Sequence, residues 1–165
     1  MEVKRAVLCY VHNQNRWLMM QKGARENDPN SGKYTSPGGK IEPGETPEQT
    51  VVREIEEETG LVITNPELRG TVLFDNSERF FNGKKAEKHF FVHIFYTESF
   101  SGQLTTGEIT EIPVWIPDSK IEEIAQHEGD KILLDAVKTG RKFSALIYQI
   151  GEKYCSEKSH ISYLD

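Results

Sequence analysis

The chain has 165 residues, of which 36% are hydrophobic and 10% are aromatic, enough for a single domain with a hydrophobic core. Its formal net charge of −6 argues against binding to nucleic-acid polymers, because such surfaces neutralise phosphates with clustered Lys and Arg. We find no signal-peptide pattern and no apolar run near eighteen residues, so we expect a cytoplasmic protein without membrane contacts. No pattern specifies an oligomeric state.

The first third of the chain predicts a hairpin followed by a long loop. Residues 3–12 and 16–22 are strand-like and are separated by the turn sequence His-Asn-Gln-Asn at 12–15. Residues 23–37 are rich in Gly, Asn, Pro and Ser, and a loop of that length in a compact domain is usually functional. Gly38 and Gly39 then allow the backbone to approach another group closely.

A helix with clear ends follows this loop. Thr46, Pro47 and Gln49 suit the N-cap, N1 and N3 positions of a capping box. Gly60 suits the left-handed position just after the last turn. The spacing therefore predicts a helix between Thr46 and Gly60.

The rest of the chain predicts alternating strands and helices. Strands are predicted at 68–75, 89–97, 112–116 and 143–150, and helices at 118–127 and 130–139. Residues 76–88 are interpreted as a polar excursion. We expect one domain over residues 1–151 and a loosely held polar C-terminal tail over 152–165. The fold class is α/β, with a mixed sheet between helices.

The predicted helix carries an unusual acidic face. Glu54, Glu57 and Glu58 have the i, i+3, i+4 spacing that places side chains on one face. Like charges at this spacing cost about 0.2–0.5 kcal/mol per pair. Mg²⁺ prefers oxygen ligands, so these carboxylates are candidate metal ligands, and a solvated acidic surface is the alternative.

The complete spacing of this region is Gly39, five residues, Glu45, seven residues, Arg53-Glu-Ile, one residue, Glu57-Glu58, one residue, Gly60-Leu61. It fills every constrained position of the Nudix box, and the chain resembles Nudix hydrolases of the MutT type. The resemblance implies an α/β/α sandwich that hydrolyses small nucleotides with Mg²⁺, for which Mn²⁺ can substitute.

The resemblance also implies roles for individual residues. The metal ligands would be Glu54, Glu57, Glu58 and the backbone carbonyl of Gly39. Arg53 would orient the glutamates. The base that activates water would be a box glutamate such as Glu57 or a glutamate before a later strand, for which Glu111 is preferred and Glu108 is the alternative.

Further segments resemble 8-oxo-dGTP diphosphatases over about residues 3–150, among them Gly32–Glu42 and His127–Asp130. His127 and Asp130 stand where those proteins read the purine, and Thr35 stands where they often carry an asparagine. The alternative for His127–Asp130 is a helix break with Asp130 as N-cap.

The remaining candidate substrate contacts lie near the glycine loop. Lys22 and Lys40 would meet phosphates, and the ring of Tyr34 would line the base site. The favoured activity is cleavage of 8-oxo-dGTP or related oxidised purine triphosphates. The alternatives are hydrolysis of ADP-ribose, dinucleoside polyphosphates or nucleotide sugars, and a nucleotide-sensing module without turnover.

Overall fold

The computed structural model describes residues 1–105 and 111–164. The first strands are β1 (Glu2–Asn13), β2 (Arg16–Lys22), β3 (Tyr34–Thr35), β4 (Gly38–Lys40), β5 (Val62–Thr64) and β6 (Glu67–Phe81). The remaining strands are β7 (Lys84–Lys85), β8 (Lys88–Thr97), β9 (Ser99–Ser101), β10 (Glu111–Pro117), β11 (Phe143–Gly151), β12 (Lys153–Tyr154) and β13 (His160–Tyr163). The helices are α1 (Pro47–Thr59) and α2 (Glu128–Lys138).

The main sheet has the strand order β10-β2-β1-β8-β6-β11-β12, and the short strands β3, β4, β7 and β13 pair at its sides. Strand β1 runs parallel to β8, and β6 runs parallel to β11. The other pairs in this sheet are antiparallel, so the sheet is mixed. Strands β5 and β9 form a separate two-stranded sheet.

The two faces of the main sheet bury different helices. On β1, Val7, Cys9 and Val11 belong to a core cluster that contains the α1 residue Ile55. Tyr10 points the other way, into the cluster that contains residues of α2. This alternation follows from the two-residue period of a strand, and it confirms the predicted sandwich of a mixed sheet between helices.

Helix α1 begins and ends as predicted. The Thr46 side chain accepts a hydrogen bond from the backbone N–H of Gln49, and the Gln49 side chain accepts one from the Thr46 N–H. Gly60 has a φ of 84°, and its N–H donates to the Glu56 carbonyl. Thr50, Val51 and Ile55 are buried against the sheet, which leaves the glutamates of the opposite face near the surface.

The predicted helix at 118–127 is wrong. Residues 118–123 form turns, and of the backbone hydrogen bonds that their N–H groups donate, only the one from Ile121 to the Pro117 carbonyl spans four residues. An α-helix needs a series of consecutive hydrogen bonds from each N–H to the carbonyl four residues earlier, and one such bond does not make a helix. Helix α2 begins two residues earlier than predicted, with His127 as its N-cap, so Asp130 is its third residue and not the N-cap.

Two other segments are more ordered than predicted. The excursion at 76–88 is wrong in part, because β6 continues to Phe81 and turns back into β7. The tail is not loosely held, since β12 and β13 pair with β11. Ile161 and Tyr163 of β13 pack against the core on the α2 side, which gives this polar segment an apolar anchor. Among the described residues, no helix combines the length and apolarity needed to cross a membrane.

Candidate active site

A cavity of about 480 Å³ runs along the face of the sheet from the C-terminal part of α1 to the start of α2. Its volume lies within the range of about 300–1,000 Å³ that is usual for small-molecule sites. We call its two polar regions the Glu58 end (Lys22, Gly38, Gly39, Glu58, Glu111) and the Asp130 end (Ser36, Asn76, Arg79, His127, Asp130). Apolar side chains, including Leu8, Phe74 and Phe90, line the wall.

The two glycines at the Glu58 end bring strand β4 close to both β1 and α1. A Cβ at Gly38 would lie 2.0 Å from the carbonyl oxygen of Val7, so only glycine fits there. A Cβ at Gly39 would lie 2.3 Å from the carboxyl carbon of Glu54. The N–H of Gly38 donates a hydrogen bond of 3.2 Å to Glu58 Oε1. The glycines thus place backbone polar groups beside two carboxylates of the acidic helix.

Arg53 lies at the centre of the acidic face. Its Nε and Nη2 donate to the carboxylate of Glu45 at 2.7 and 2.8 Å. Its Nη1 donates to Glu54 Oε1 at 3.0 Å and to Glu57 Oε2 at 3.3 Å. This pairing with Arg53 lowers the pKa of Glu45 to about 2. One guanidinium therefore holds three glutamates in place by direct contact.

Glu54 and Glu58 of the acidic helix are in a different electrostatic state from Glu45. Burial raises the pKa of Glu58 to about 7, although the Gly38 N–H and the charge of Lys22 oppose the shift. Burial also raises the pKa of Glu54, against the effect of Arg53. Both side chains are held where ionisation is costly unless a further cation compensates.

Lys22 and Glu111 face each other at the opening of this end. Lys22 Nζ lies 3.2 Å from Glu111 Oε1, because β2 and β10 pair with these two residues in register. The phosphate contact of Lys22 stays a prediction, and without substrate its ammonium group forms this ion pair. The alternative residue Glu108 lies outside the described residues.

The chemistry of the Glu58 end fits a hard divalent cation. Glu54, Glu58 and the backbone carbonyl of Gly39 are oxygen donors, and the space beside Gly39 is kept free of any Cβ. Glu57 extends towards Arg53, with 59% of its side chain exposed. Within residues 1–105 and 111–164, no three His, Cys, Asp or Glu side chains are grouped closely enough to form a metal cage by themselves.

The Asp130 end contains both residues that were predicted to read a base. Burial raises the pKa of Asp130 to about 6, and burial lowers the pKa of His127 to about 4. A ring nitrogen of His127, Nε2, lies 2.7 Å from the side-chain oxygen of Asn30 in the long loop. Thr35 and Lys40 also line the cavity. At neutral pH this end therefore offers a neutral imidazole and a carboxylate.

The structure does not place Tyr34 at the predicted base site. It is not among the residues that line the cavity, and it packs against the core on the α2 side. Its N–H donates to the carbonyl of Ala125, which ties β3 to the segment before α2. Because side chains alternate along a strand, the neighbouring residue Thr35 faces the cavity instead.

Sequence reasoning missed three polar residues of the Asp130 end, namely Ser36, Asn76 and Arg79. The Ser36 hydroxyl is buried, and in the part of the chain that the structure describes it has no hydrogen-bond partner. Asn76 and Arg79 lie in the segment that was interpreted as an excursion. Strand β6 continues past Asp75, and this continuation places both side chains on the sheet, where they line the cavity. The sequence pattern did not indicate that the strand continues.

Comparison with known proteins places this site in a family. The family model of the NUDIX domain matches residues 2–137. The Nudix hydrolase YvcI of Bacillus subtilis, itself described as uncharacterised, is 28% identical over 139 residues, which cover 84% of this chain and 82% of the relative. A Methanocaldococcus jannaschii protein named ADP-ribose pyrophosphatase is 29% identical over 133 residues, covering 81% of this chain and 72% of the relative.

Likeness to proteins named 8-oxo-dGTP diphosphatase is partial. That of Proteus vulgaris is 34% identical over 79 residues, which cover 48% of this chain and 67% of the relative. Among solved structures, a mutator MutT protein from Bacillus halodurans superposes with a TM-score of 0.80 at 25% identity, covering 96% of this chain and 97% of that one. The match to the NUDIX domain spans most of the chain, including the glycine loop, α1 and the start of α2. The chain therefore belongs to the Nudix family of hydrolases, enzymes that act on phosphoric anhydrides.

Proposed function

We propose that this protein is a Mg²⁺-dependent pyrophosphohydrolase that cleaves nucleoside triphosphates to monophosphate and pyrophosphate. Its favoured substrates are 8-oxo-dGTP and related oxidised purine nucleotides, and its role is to sanitise the cytoplasmic nucleotide pool. The observation that carries the proposal is the continuous cavity, which joins the acidic Glu58 end to a polar, aromatic-walled Asp130 end. A compact triphosphate needs both ends, one for its phosphates and one for its base.

Glu54, Glu58 and the Gly39 carbonyl, with Glu57 joining from the surface, would hold the Mg²⁺, and Mn²⁺ can substitute for it. The bound ion supplies charge neutralisation for the phosphate oxygens. Arg53 keeps the glutamates in position through its bonds to Glu45 and Glu54. The raised pKa of Glu58 supports this assignment, because a nearby cation favours the ionised form that burial alone disfavours.

Glu111 is the proposed general base. It lines the same cavity as Glu58 and is exposed enough for its carboxylate to reach a water molecule. Lys22 holds this carboxylate from one side and is itself positioned to meet a phosphate when the ion pair opens. Glu111 accepts the proton as water attacks phosphorus, which is the role that general-base catalysis requires.

The proposed base site is the Asp130 end. Asp130 accepts hydrogen bonds from ring N–H groups, and the neutral ring of His127 packs against the base, with Thr35 beside it. Phe74 and Phe90 would contact its apolar faces. Lys40 lies near the other end, where phosphates would enter.

The test is a panel of Mg²⁺-dependent kcat/KM values for 8-oxo-dGTP, dGTP, dATP, ADP-ribose and a dinucleoside tetraphosphate, with products separated by chromatography. We expect 8-oxo-dGTP to be preferred and to yield monophosphate and pyrophosphate. Release of inorganic phosphate, or a flat profile, would contradict the proposal. Glu111→Gln should lose most turnover, whereas the exposed Glu123→Gln should not.

A second candidate is hydrolysis of ADP-ribose. The observation that favours it is the Methanocaldococcus relative named ADP-ribose pyrophosphatase, which aligns over 81% of the chain, whereas the Proteus relative named 8-oxo-dGTP diphosphatase aligns over 48%. In this reading the phosphate chemistry is unchanged and the Asp130 end binds adenine. A higher kcat/KM for ADP-ribose than for any triphosphate in the same panel would favour this second candidate.

A further inference from the structure

Arg79 enters the cavity through an irregularity in β6. Upstream of it, Phe74 and Asn76 line the cavity at alternate positions, as residues on one face of a strand do. The pairing with β11 then shifts, because Tyr148 is opposite Asp75 while Ile150 is opposite Glu78. One extra residue on β6 moves the inward position from 78 to 79. This β-bulge aims a guanidinium, and not a carboxylate, at the Asp130 end.

The guanidinium has no fixed partner in this cavity. Within the described part of the chain, it donates no hydrogen bond and no carboxylate oxygen lies within 4.0 Å of it. Arg79 is half-buried, and burial lowers its pKa while the charge of Asp130 opposes the shift. A guanidinium that lines the cavity without a hydrogen-bonded protein partner keeps its five N–H donors available to a ligand in the cavity.

Arg79 and Asp130 together form a donor–acceptor pair that a heterocycle can match. In guanine, 8-oxoguanine and hypoxanthine, the oxygen at position 6 is an acceptor and lies next to an N1–H donor. In adenine both groups are reversed, with an amino donor at position 6 and an acceptor at N1. The guanidinium of Arg79 can donate to the oxygen at position 6, and the carboxylate of Asp130 can accept from N1–H. The pair therefore matches guanine, 8-oxoguanine and hypoxanthine, and it conflicts with adenine.

We propose that Arg79 is a specificity-determining residue that donates to the 6-oxo group of a purine while Asp130 accepts from N1–H, so that 6-oxopurine nucleotides are selected over adenine nucleotides. The inference rests on the proposed function, because it assumes that the Asp130 end holds the base. It narrows the substrate class to guanine-type and hypoxanthine nucleotides. Because ADP-ribose contains adenine, the inference argues against ADP-ribose as the principal substrate.

The experiment measures binding of nucleoside monophosphates by calorimetry at pH 7.5 without Mg²⁺, so that it does not depend on turnover. The ligands are dGMP, 8-oxo-dGMP, dIMP and dAMP, and the variants are Arg79→Met and Arg79→Lys. Arg69→Met is the matched control, because Arg69 also lies on β6 and is part-buried but bonds to the Val137 carbonyl and packs on Tyr96 outside the cavity.

We expect wild type and Arg69→Met to bind the three 6-oxopurine monophosphates more tightly than dAMP. Arg79→Met should reduce that preference by about tenfold to hundredfold, the range for a lost hydrogen bond to a charged group, and should leave dAMP binding nearly unchanged. Arg79→Lys keeps the charge without the fork and should retain part of the preference. It also serves as the test if Arg79→Met does not fold.

Equal weakening of all four ligands in Arg79→Met and Arg79→Lys would overturn the inference, as would a wild-type preference for dAMP. The outcome is separable from that of the proposed function. If no triphosphate is hydrolysed but the 6-oxopurine preference depends on Arg79, the proposed reaction fails and the base assignment holds. If triphosphates are hydrolysed with an unchanged base preference in the variants, the reaction holds and the role of Arg79 is refuted.

Discussion

Replacing Gly39 with alanine should damage catalysis without unfolding the protein. The new Cβ would lie 2.3 Å from the carboxyl carbon of Glu54, whereas ordinary contacts begin near 3.4 Å, so the carboxylate must move by roughly 1 Å. That movement also stretches the 3.0 Å bond from Arg53 to Glu54. A displacement of about 1 Å at a catalytic group can cost on the order of a hundredfold in rate.

The backbone should tolerate this change. Gly39 does not have a positive φ, so alanine can adopt its backbone conformation. Alanine also reduces the conformational freedom of the unfolded chain, which slightly favours folding. We therefore expect the melting temperature of metal-free Gly39→Ala to stay within a few degrees of wild type, while kcat/KM falls about a hundredfold and more Mg²⁺ is needed for half-maximal activity.

A double-mutant cycle tests the reasoning. Glu54→Asp shortens the carboxylate and makes room for the methyl group, so the losses from Gly39→Ala and Glu54→Asp should not add. Fully additive losses would show that Gly39 acts through something other than Glu54. Wild-type kcat/KM for Gly39→Ala at limiting Mg²⁺ would refute the proposed metal site.

Three further predictions concern neighbouring positions. Glu57→Gln should lower turnover by about a hundredfold or more with an unchanged melting temperature, whereas Glu56→Gln, an exposed neighbour, should retain activity; equal activities would remove Glu57 from the metal site. The raised folded-state pKa of Glu58 means that its ionisation destabilises the fold as pH rises from about 4.5 to about 7. Metal-free Glu58→Gln should therefore be more stable than wild type at pH 8, by at most about 3 kcal/mol, and should match it near pH 4; chemical denaturation at both pH values checks this. Thr35→Asn should raise the kcat/KM ratio of 8-oxo-dGTP to dGTP, and an unchanged ratio would mean that Thr35 does not contact the base.

Much of the Glu58 end could be predicted from the sequence because its geometry depends on contacts between residues close together in the chain. The cap at Thr46, the turn at Gly60 and the shared face of Glu54 and Glu58 depend on helix periodicity and on contacts within a few residues. The close approach of Gly39 to the helix also follows from its lack of a Cβ. The family resemblance added the assignment of these groups to phosphate chemistry.

The Asp130 end depends on contacts between distant parts of the chain. Whether residues 76–81 extend a strand is decided by their pairing with β11 and β7, which sequence patterns do not reveal. The same applies to β13, a polar segment whose order comes from β11. Tyr34 was misplaced because local sequence does not tell which of two adjacent strand residues faces a cavity.

The sequence by itself therefore determined the helix, its caps and the acidic face, since all three arise from interactions a few residues apart. The tertiary structure alone decided that Arg79 and Asp130 line the same cavity. That arrangement requires a one-residue shift between two strands about seventy positions apart, and a shift of one residue exchanges the two faces of a strand.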